Sequence, residues 1–512
     1  MALRTDFYIL LGVLCVLWSV SIAGDAEYTV DRANAYIKEN EASVGQTYRE
    51  KYHFMAPIGW INDPNGFIYY KGEYHLFYQY NPYDAVPNKI HWGHAKSKDL
   101  LHWEHLPVAL APDQDYDVDG VFSGSAIEKD DKLYVMYTGN TPNGQVQCIA
   151  VSEDGINFEK VPQNPVLDAS NLPSNAQPID FRDPKVFKRG DLYYVVLVSK
   201  TLDNRGQALL YQSPDLINWE FKSILLEGTS DQGIMWECPD LYELDGKDVL
   251  VLSPIQIPRV GNEYLNIDSV IEFVGKVDWD TGKMAVDTMK ELDHGLDFYA
   301  TQSLVDGNGR RVVIAWMAMW GRNFPTLPDR WAGAMTLPRE LHLKDGRLTQ
   351  TPISEISSIL QTPVELEGIT ISDEVKEFDK VSGEVAALTV EVNLVNATSF
   401  TVDLRANDKE ETVLSYSVQD QELTLDRTQS GVIVVGDENP KVYSRTVKTL
   451  LQDNRLKLQI FLDTSSVEVF VNDGLETMTE TIYPTESDSS LIRFGAQGTA
   501  IIEKLSFSLI NV

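Results

Sequence analysis

A short motif that recurs three times constrains the fold of this chain more than any other feature. The heptad Ser97–Trp103 returns as Ser152–Phe158 and Ser213–Trp219, at intervals of 55 and 61 residues. Strand-like runs of aromatic and β-branched residues precede the copies and continue after them. They are Tyr74–Tyr78, Leu133–Tyr137, Leu192–Val196, Val249–Leu252 and Val312–Trp316. Five units of short strands without a long amphipathic helix indicate radially repeated sheets, so we predict a five-bladed β-propeller.

The repetition ends near residue 345, and the sequence beyond it alternates between polar and apolar residues. Clear examples are Leu388–Val392, Leu456–Ile460 and Val467–Val471. Such alternation is typical of half-buried strands in an antiparallel sheet. The prediction is therefore an all-β chain in three parts. These are a propeller over residues 45–348, a linker with a short helix over 349–364, and a β-sandwich over 365–512.

The N-terminus has the pattern of a secretory signal. Arg4 precedes the apolar stretch Phe7–Val20, and Ser21–Ala23 offers small residues for cleavage. The apolar stretch is shorter than the roughly 20 residues that a membrane-spanning helix needs. We predict a signal peptide over residues 1–23 and a secreted, extracellular protein. A buried N-terminal helix is the alternative.

Cysteine content and one sequon agree with secretion but do not prove it. Cys15 lies in the predicted signal peptide, which leaves Cys148 and Cys238 in the rest of the chain. Two cysteines in a chain of this length do not form a disulfide framework, and Cys148 is expected to be buried and free. The sequon Asn396–Thr398 predicts a glycoprotein with a glycan on Asn396.

The formal net charge of −33 restricts the partners of the protein. An acidic surface repels nucleic acid and anionic membranes, so we expect neither as a partner. A neutral small-molecule substrate fits this charge better than an anionic one. The eight histidines show no metal-ligand spacing, and no phosphate loop or Ser-His-Asp motif is apparent. We therefore predict no metal and no cofactor.

Three acidic residues lie beside or near a proline, each ahead of the aromatic run of a different unit. They are Asp63, Asp183 and Glu237. Residues at equivalent innermost positions of propeller blades converge on the central axis, although they are distant in sequence. Taken singly, Asp63 fits a turn and Asp183 fits a surface ion pair with Arg182. Taken together, the three acids predict a carboxylate active site.

Paired carboxyls with different pKa values are what the cleavage of a glycosidic bond requires. In a retaining enzyme one carboxylate attacks the anomeric carbon, and the other carboxyl protonates the leaving oxygen. We expect nearby negative charge to raise the pKa of Glu237 and Arg182 to keep Asp183 ionised. Aromatic and amide side chains near the blade starts could bind a sugar or fill the gaps between blades. They are Trp60, Gln79, Trp92, Phe122 and Trp236.

Around these acids the sequence resembles glycoside hydrolase family 32, the invertase or β-fructofuranosidase family. Nine segments carry the resemblance: Trp60–Gly66, Phe77–Pro82, His91–His94, Phe122–Ser125, Phe181–Pro184, Trp236–Asp240, Trp331–Gly333, Leu337–Glu340 and Asp463–Phe470. The resemblance implies a five-bladed propeller followed by a sandwich, and a retaining mechanism through a fructosyl-enzyme. It also implies that Asp63 is the nucleophile, Glu237 the general acid/base and Asp183 the transition-state stabiliser. The implied substrate-binding residues are Trp60, Asn62, Gln79, Trp92, Phe122, Ser123, Arg182 and, more weakly, Tyr299.

The function expected from these features is that of a secreted β-fructofuranosidase that hydrolyses sucrose to glucose and fructose. A fructan hydrolase or a fructosyltransferase is the alternative within the same family. A non-catalytic sugar-binding propeller is an alternative of another class, although intact Asp63 and Glu237 argue against it. An inverting propeller glycosidase would hold its two carboxyls farther apart than a retaining one.

Overall fold

The computed structural model describes residues 27–512, so the predicted signal peptide and Cys15 lie outside the described residues. Helix α1, Val30–Asn40, precedes the sheets and was not predicted from the sequence. The hydroxyl of Thr29 caps it by accepting the N–H of Arg32. Within the described chain, no helix has the length and apolar character needed to cross a bilayer.

Five sheets form the propeller, and the sheet order shows how the ring closes. Blade 1 contains β1 Gly59–Tyr70, β2 Glu73–Asn81, β3 His91–Ser97 and β4 Trp103–His105; blade 2 contains β5 Gly120–Lys129, β6 Lys132–Thr141, β7 Gly144–Ser152 and β8 Glu159–Lys160. Blade 3 contains β9 Ala176–Arg189, β10 Leu192–Thr201, β11 Gly206–Ser213 and β12 Glu220–Glu227; blade 4 contains β13 Met235–Leu244, β14 Lys247–Ile255, β15 Ile271–Asp278 and β16 Lys283–Glu291. Then follow β17 Tyr299–Val305, β18 Arg311–Trp316, β19 Trp331–Ala332, β20 Arg339–Lys344 and β21 Arg347–Pro352. All of these belong to blade 5 except β19, which pairs in parallel with β1 and joins the end of the ring to its beginning.

The repeated heptad is a turn that follows the third strand in blades 1, 2 and 3. In blade 2 the Ser152 hydroxyl donates to Asp154, and the same carboxylate oxygen accepts the N–H groups of Ile156 and Asn157. Equivalent bonds surround Asp99 and Asp215. The five predicted strand runs all fall in the second strands of the blades, so the five-bladed propeller is confirmed.

The C-terminal domain is a β-sandwich built around two long strands. Its strands are β22 Val364–Ser382, β23 Ala386–Asn393, β24 Ser399–Ala406, β25 Glu411–Ser417, β26 Glu422–Gln429, β27 Ser444–Lys448, β28 Arg455–Asp463, β29 Ser466–Val471, β30 Glu476–Thr481 and β31 Leu491–Leu509. One half of β31 pairs with β24 and the other half with β23, while β22 follows β31 along both halves. The two long strands therefore join the two faces of the sandwich. Short 3-10 helices span Glu41–Ser43, Ala169–Asn171, Leu327–Asp329 and Ser354–Ile359, the last inside the predicted linker.

Buried ion pairs and an apolar cluster hold the sandwich against the propeller. Arg339 of β20 pairs with Asp293 at 2.9 Å and with Glu468 of the sandwich at 2.5 Å. His53 lies between Asp463 and Glu468, at 2.9 and 2.7 Å. Burial of so many charges is tolerated because each one has a partner. The domains therefore share a polar interface that is closed to water.

The described residues contain one cluster, Glu50, His53 and Asp463, whose side chains lie close enough to hold a metal ion. Both ring nitrogens of His53 are already bonded to carboxylates, and Glu50 accepts the hydroxyl of Ser465. Asp463 accepts backbone N–H groups of residues 51–53. Because these partners use the donor atoms, the cluster is a hydrogen-bonded part of the domain interface.

Candidate active site

The three predicted acids lie on the innermost strands of three different blades. Asp63 is in β1, Asp183 in β9 and Glu237 in β13. The innermost strands β1, β5, β9, β13 and β17 contact one another in a closed ring around the axis. The backbone N–H of Cys238 donates to Asp183 at 2.9 Å, and its sulfur lies 3.4 Å from an oxygen of Asp63. The acids therefore meet at one end of the axis.

Every innermost strand has an interruption in its pairing at the level of the acids. The residues passed over in the pairing are 62–63 in β1, 123 in β5, 183–184 in β9, 238–239 in β13 and 300–301 in β17. Pro184 and Pro239 carry no N–H and fit these unpaired positions. Asp183 and Cys238 have φ of +62° and +47°, in the left-handed region that side chains rarely adopt. Bulges of this kind re-aim side chains, here toward the axis.

Two hydrogen bonds, one from blade 2 and one from its own strand, hold the carboxylate of Asp63. One oxygen accepts the Ser123 hydroxyl at 2.6 Å, and the other accepts the side-chain amide of Asn62 at 3.0 Å. Trp60 in turn donates its indole N–H to the Asn62 oxygen at 2.7 Å. Burial raises the pKa of Asp63, the charge of Glu237 raises it further, and these two bonds oppose the rise. Asp63 is thus oriented and largely withdrawn from water.

Arg182 favours the ionised form of Asp183, as expected, but burial outweighs it and Glu237 is the acid that Arg182 bonds. Arg182 donates from Nε and Nη2 to one oxygen of Glu237, at 3.1 and 3.0 Å, whereas its nearest approach to Asp183 is 4.0 Å. Burial raises the pKa of Asp183 to about 7; the Arg182 charge lowers it, and Glu237 and Asp63 raise it. The guanidinium also donates to Asp180 at 2.9 Å. Its charge is therefore divided among several carboxylates.

Glu237 is the most open of the three acids. Its side chain is 20% exposed, against 6% for Asp183. The Tyr299 hydroxyl donates to the second Glu237 oxygen at 2.7 Å, so each oxygen of this carboxylate has a donor. A partly exposed carboxyl can exchange protons with a leaving group or with water.

Some of the other predicted residues contact an acid directly, and the rest pack or hydrogen-bond around the site. Asn62, Ser123, Arg182 and Tyr299 contact an acid directly. The remainder reach no acid through a hydrogen bond within the described chain. Trp92 is fully buried and donates to the carbonyl of the half-exposed Phe122, Gln79 donates to the Val121 carbonyl, and Trp60 packs against Trp316, Trp320 and Phe324. Trp236 fills a gap between blades, where a Cβ on Gly206 would clash with its ring.

Three residues near the acids were missed by the sequence analysis. The backbone N–H of Cys238 donates to Asp183. The only sequence signal for this role was the position of Cys238 next to Glu237. Gln145 accepts from Arg182 at 3.2 Å. Burial raises the pKa of Asp268 to about 7, and Glu237 raises it further. Asp268 lies in a long connection after β14, and no local pattern marks it.

Two protein-family models and several known proteins match this chain. The model of the glycosyl hydrolases family 32 N-terminal domain matches residues 53–352, and that of the family 32 C-terminal domain matches residues 355–508. A raffinose invertase of Escherichia coli is 36% identical over 488 residues, which cover 92% of this chain and 97% of the relative. A sucrose-6-phosphate hydrolase of Zymomonas mobilis is 37% identical over 476 residues, covering 88% and 90%.

Solved structures share the fold over nearly the whole chain. A family 32 β-fructofuranosidase of Bombyx mori superposes with a TM-score of 0.81 at 34% identity, covering 94% of this chain and 98% of that one. A sucrose-6-phosphate hydrolase of Lactobacillus gasseri gives a TM-score of 0.84 at 30% identity, covering 94% and 99%. An exo-inulinase of Aspergillus awamori gives 0.79 at 30% identity, covering 91% and 99%.

Proposed function

The chain belongs to glycoside hydrolase family 32, and from that premise we propose that it is a secreted β-fructofuranosidase that hydrolyses free sucrose to glucose and fructose. The observation that carries the proposal is that Asp63, Asp183 and Glu237 lie together at one end of the propeller axis. Cys238, next to Glu237, contacts both Asp183 and Asp63. Secretion rests on the apolar segment Phe7–Val20 and its small-residue cleavage site.

The geometry supports a double displacement. Asp63, held by Ser123 and Asn62, attacks the anomeric carbon of the fructosyl unit as Glu237 gives its proton to the glycosidic oxygen. The bond from carbon to that oxygen breaks, glucose leaves, and an ester joins the sugar to Asp63. Glu237 then takes a proton from water, the resulting hydroxide attacks the same carbon, and Asp63 is released with fructose. The exposure of Glu237 gives the water its access.

Asp183 has a different role from the other two acids. The Cys238 N–H fixes one of its oxygens, and its left-handed backbone aims the carboxyl toward the axis. A carboxylate beside the fructosyl ring accepts hydroxyl hydrogen bonds and stabilises positive charge that develops in the transition state. Asp183 is accordingly proposed to bind the sugar and to stabilise the oxocarbenium-like state.

Charge favours free sucrose over its phosphate ester. The carboxyls of Asp180, Asp183 and Glu237 lie around the guanidinium of Arg182, which bonds to Asp180 and Glu237. Asp63 and Asp268 add negative charge close to Glu237. A phosphate dianion entering such a site meets net repulsion. Relatives named for sucrose 6-phosphate and for raffinose make both substrate classes worth testing.

The test compares kcat/KM of the purified protein on sucrose, sucrose 6-phosphate and inulin under one buffer. The proposal expects sucrose to be the best substrate of the three. A higher value on sucrose 6-phosphate would contradict the free-sucrose assignment. A higher value on inulin would favour the fructan hydrolase alternative, which the likeness to an exo-inulinase keeps open.

A further inference from the structure

The five innermost strands continue past the acids and end around a second cavity of about 310 Å³. It is lined by the later residues of these strands, including Phe67 of β1, Ala126 of β5, Lys185 of β9, Tyr242 of β13 and Val305 of β17. The lining begins four residues after Asp63, two after Asp183 and four after Glu237 on the same strands, which corresponds to roughly 7–13 Å along a strand. The cavity therefore opens at the opposite end of the propeller axis.

A hydrogen-bonded layer separates this cavity from the catalytic pocket. Gln302 of β17 donates to the Gly124 carbonyl at 2.7 Å, and Asn65 accepts the Gly124 N–H at 3.0 Å. Lys185 pairs with Asp240 at 3.0 Å and donates to the Ser303 carbonyl at 2.8 Å. These bonds cross the axis between blades 1, 2, 3, 4 and 5. The cavity is a distinct site with its own opening.

Arg311 is the unusual group in this cavity. One terminal nitrogen donates to the Ser303 hydroxyl at 3.3 Å, and the guanidinium lies 4.4 Å from the centre of the Tyr242 ring. Among residues 27–512, no carboxylate lies within 4.0 Å of its nitrogens, and its buried Nε has no partner. A guanidinium carries five N–H donors, and buried cations are normally paired. The charge of Asp240 acts on Arg311 but is paired directly with Lys185, so Arg311 has no direct ion-pair partner in the described chain.

The surroundings of Arg311 favour an anion. Lys188 and Arg189 also line the cavity, together with two acids: Glu243, which lies 3.9 Å from Arg189, and Asp248, which accepts the Val277 N–H at 2.8 Å. The lining cations Lys185, Lys188, Arg189 and Arg311 outnumber these two acids. A basic hollow is exceptional in a protein with a formal charge of −33. Its volume reaches the lower end of the range for small-molecule sites, about 300–1,000 Å³.

We propose that this cavity is a second, non-catalytic site that binds a phosphate group, either inorganic phosphate or the phosphate monoester of a sugar. The guanidinium of Arg311 supplies the charge-assisted bonds that recognise the phosphate oxygens. Lys188 and Arg189 attract the anion at the rim.

The experiment is calorimetric titration of the full chain at low ionic strength, with fructose present in excess to occupy the catalytic pocket. The probes are inorganic phosphate, glucose 6-phosphate and glucose. Both phosphates should bind with one-to-one stoichiometry, and glucose should not. Tighter binding of glucose 6-phosphate than of phosphate would identify the sugar ester as the ligand class, and equal binding would identify the bare oxyanion; either supports the site.

Three variants make the test specific. Arg311→Gln should weaken phosphate binding at least tenfold. Val305→Glu adds a negative charge at a position that is 50% exposed, so it should weaken binding without endangering the fold. Arg455→Gln removes a surface charge in the sandwich and should leave binding unchanged. Equal affinity in wild type, Arg311→Gln and Val305→Glu would overturn the proposal, as would equal binding of glucose or loss of phosphate binding in the presence of fructose.

Discussion

At the scale of the residue, the catalytic acids could be predicted from the sequence, but their contacts and pKa values could not. Asp63 and Glu237 could be predicted because they stand in distinctive segments. The partner of Arg182 could not, because it depends on which carboxylate the folded blades bring within reach, and that carboxylate is Glu237. The pKa of Asp183, raised by burial to about 7, likewise follows from enclosure by three blades. Local sequence contains no information about that enclosure.

Replacing the nucleophile is the sharpest test at this scale. Asp63→Asn keeps the size of the side chain and removes the attacking charge, so kcat on sucrose should fall by about 10³-fold or more. The Ser123 and Asn62 contacts should keep the fold intact. Asp203→Asn, at an exposed ion pair with Arg205 away from the acids, is the matched control. A kcat within tenfold of wild type would remove Asp63 from the reaction.

At the scale of the element, the blade is the unit that the sequence describes best. The heptad marks the turn after the third strand, where its aspartate binds two backbone N–H groups locally. The bulges at the acids could not be predicted, since each depends on pairing with a second strand. Helix α1 was missed because it is short and precedes the repeating region.

Blade 1 also contains a buried histidine pair that should make stability depend on pH. His75 Nδ1 and His94 Nε2 lie 3.0 Å apart, and burial lowers the pKa of His75 to about 4. The unfolded value is about 6.5, so the unfolded chain binds the extra proton first. The stabilising contribution of His75 is therefore complete above about pH 6.5 and is lost as the pH falls toward 4.

The measurement compares the free energy of unfolding of wild type and His75→Asn at pH 7.5 and pH 4.5. Other groups titrate in both proteins, so the difference between them reports His75 together with its effect on the neighbouring His94. Wild type should lose about 2 kcal/mol relative to the variant at the lower pH. A difference that is independent of pH would contradict the assignment of a neutral, buried His75.

At the scale of the whole molecule, two domains were predicted, but the way they are joined was not. Arg339 and Glu468 are 129 residues apart in the chain and meet only in the folded protein. Arg339 and Glu468 each lie in a segment that resembles the family, but no local sequence pattern indicates that the two residues form an ion pair. Charges buried at this boundary make separation of the domains costly, because each would lose its partner.

Removal of this connection should therefore uncouple the domains. Arg339→Met leaves Asp293 without its arginine and weakens the pairing of Glu468, and it should destabilise the protein by about 3–5 kcal/mol. Urea denaturation of wild type should show one transition, and the variant should show two. Arg455→Met, at an exposed pair with Glu503, should cost at most about 1 kcal/mol. One unshifted transition in Arg339→Met would show that the ion pairs do not couple the domains.

The central claim is that Asp63 and Glu237 cleave sucrose by double displacement. The most direct test is ¹H NMR of sucrose hydrolysis by the purified wild-type protein, recorded before the released fructose equilibrates. Two inversions at the anomeric carbon restore its configuration, so β-fructofuranose should be the first fructose form observed. First appearance of the α form, or no hydrolysis of sucrose, would contradict the account.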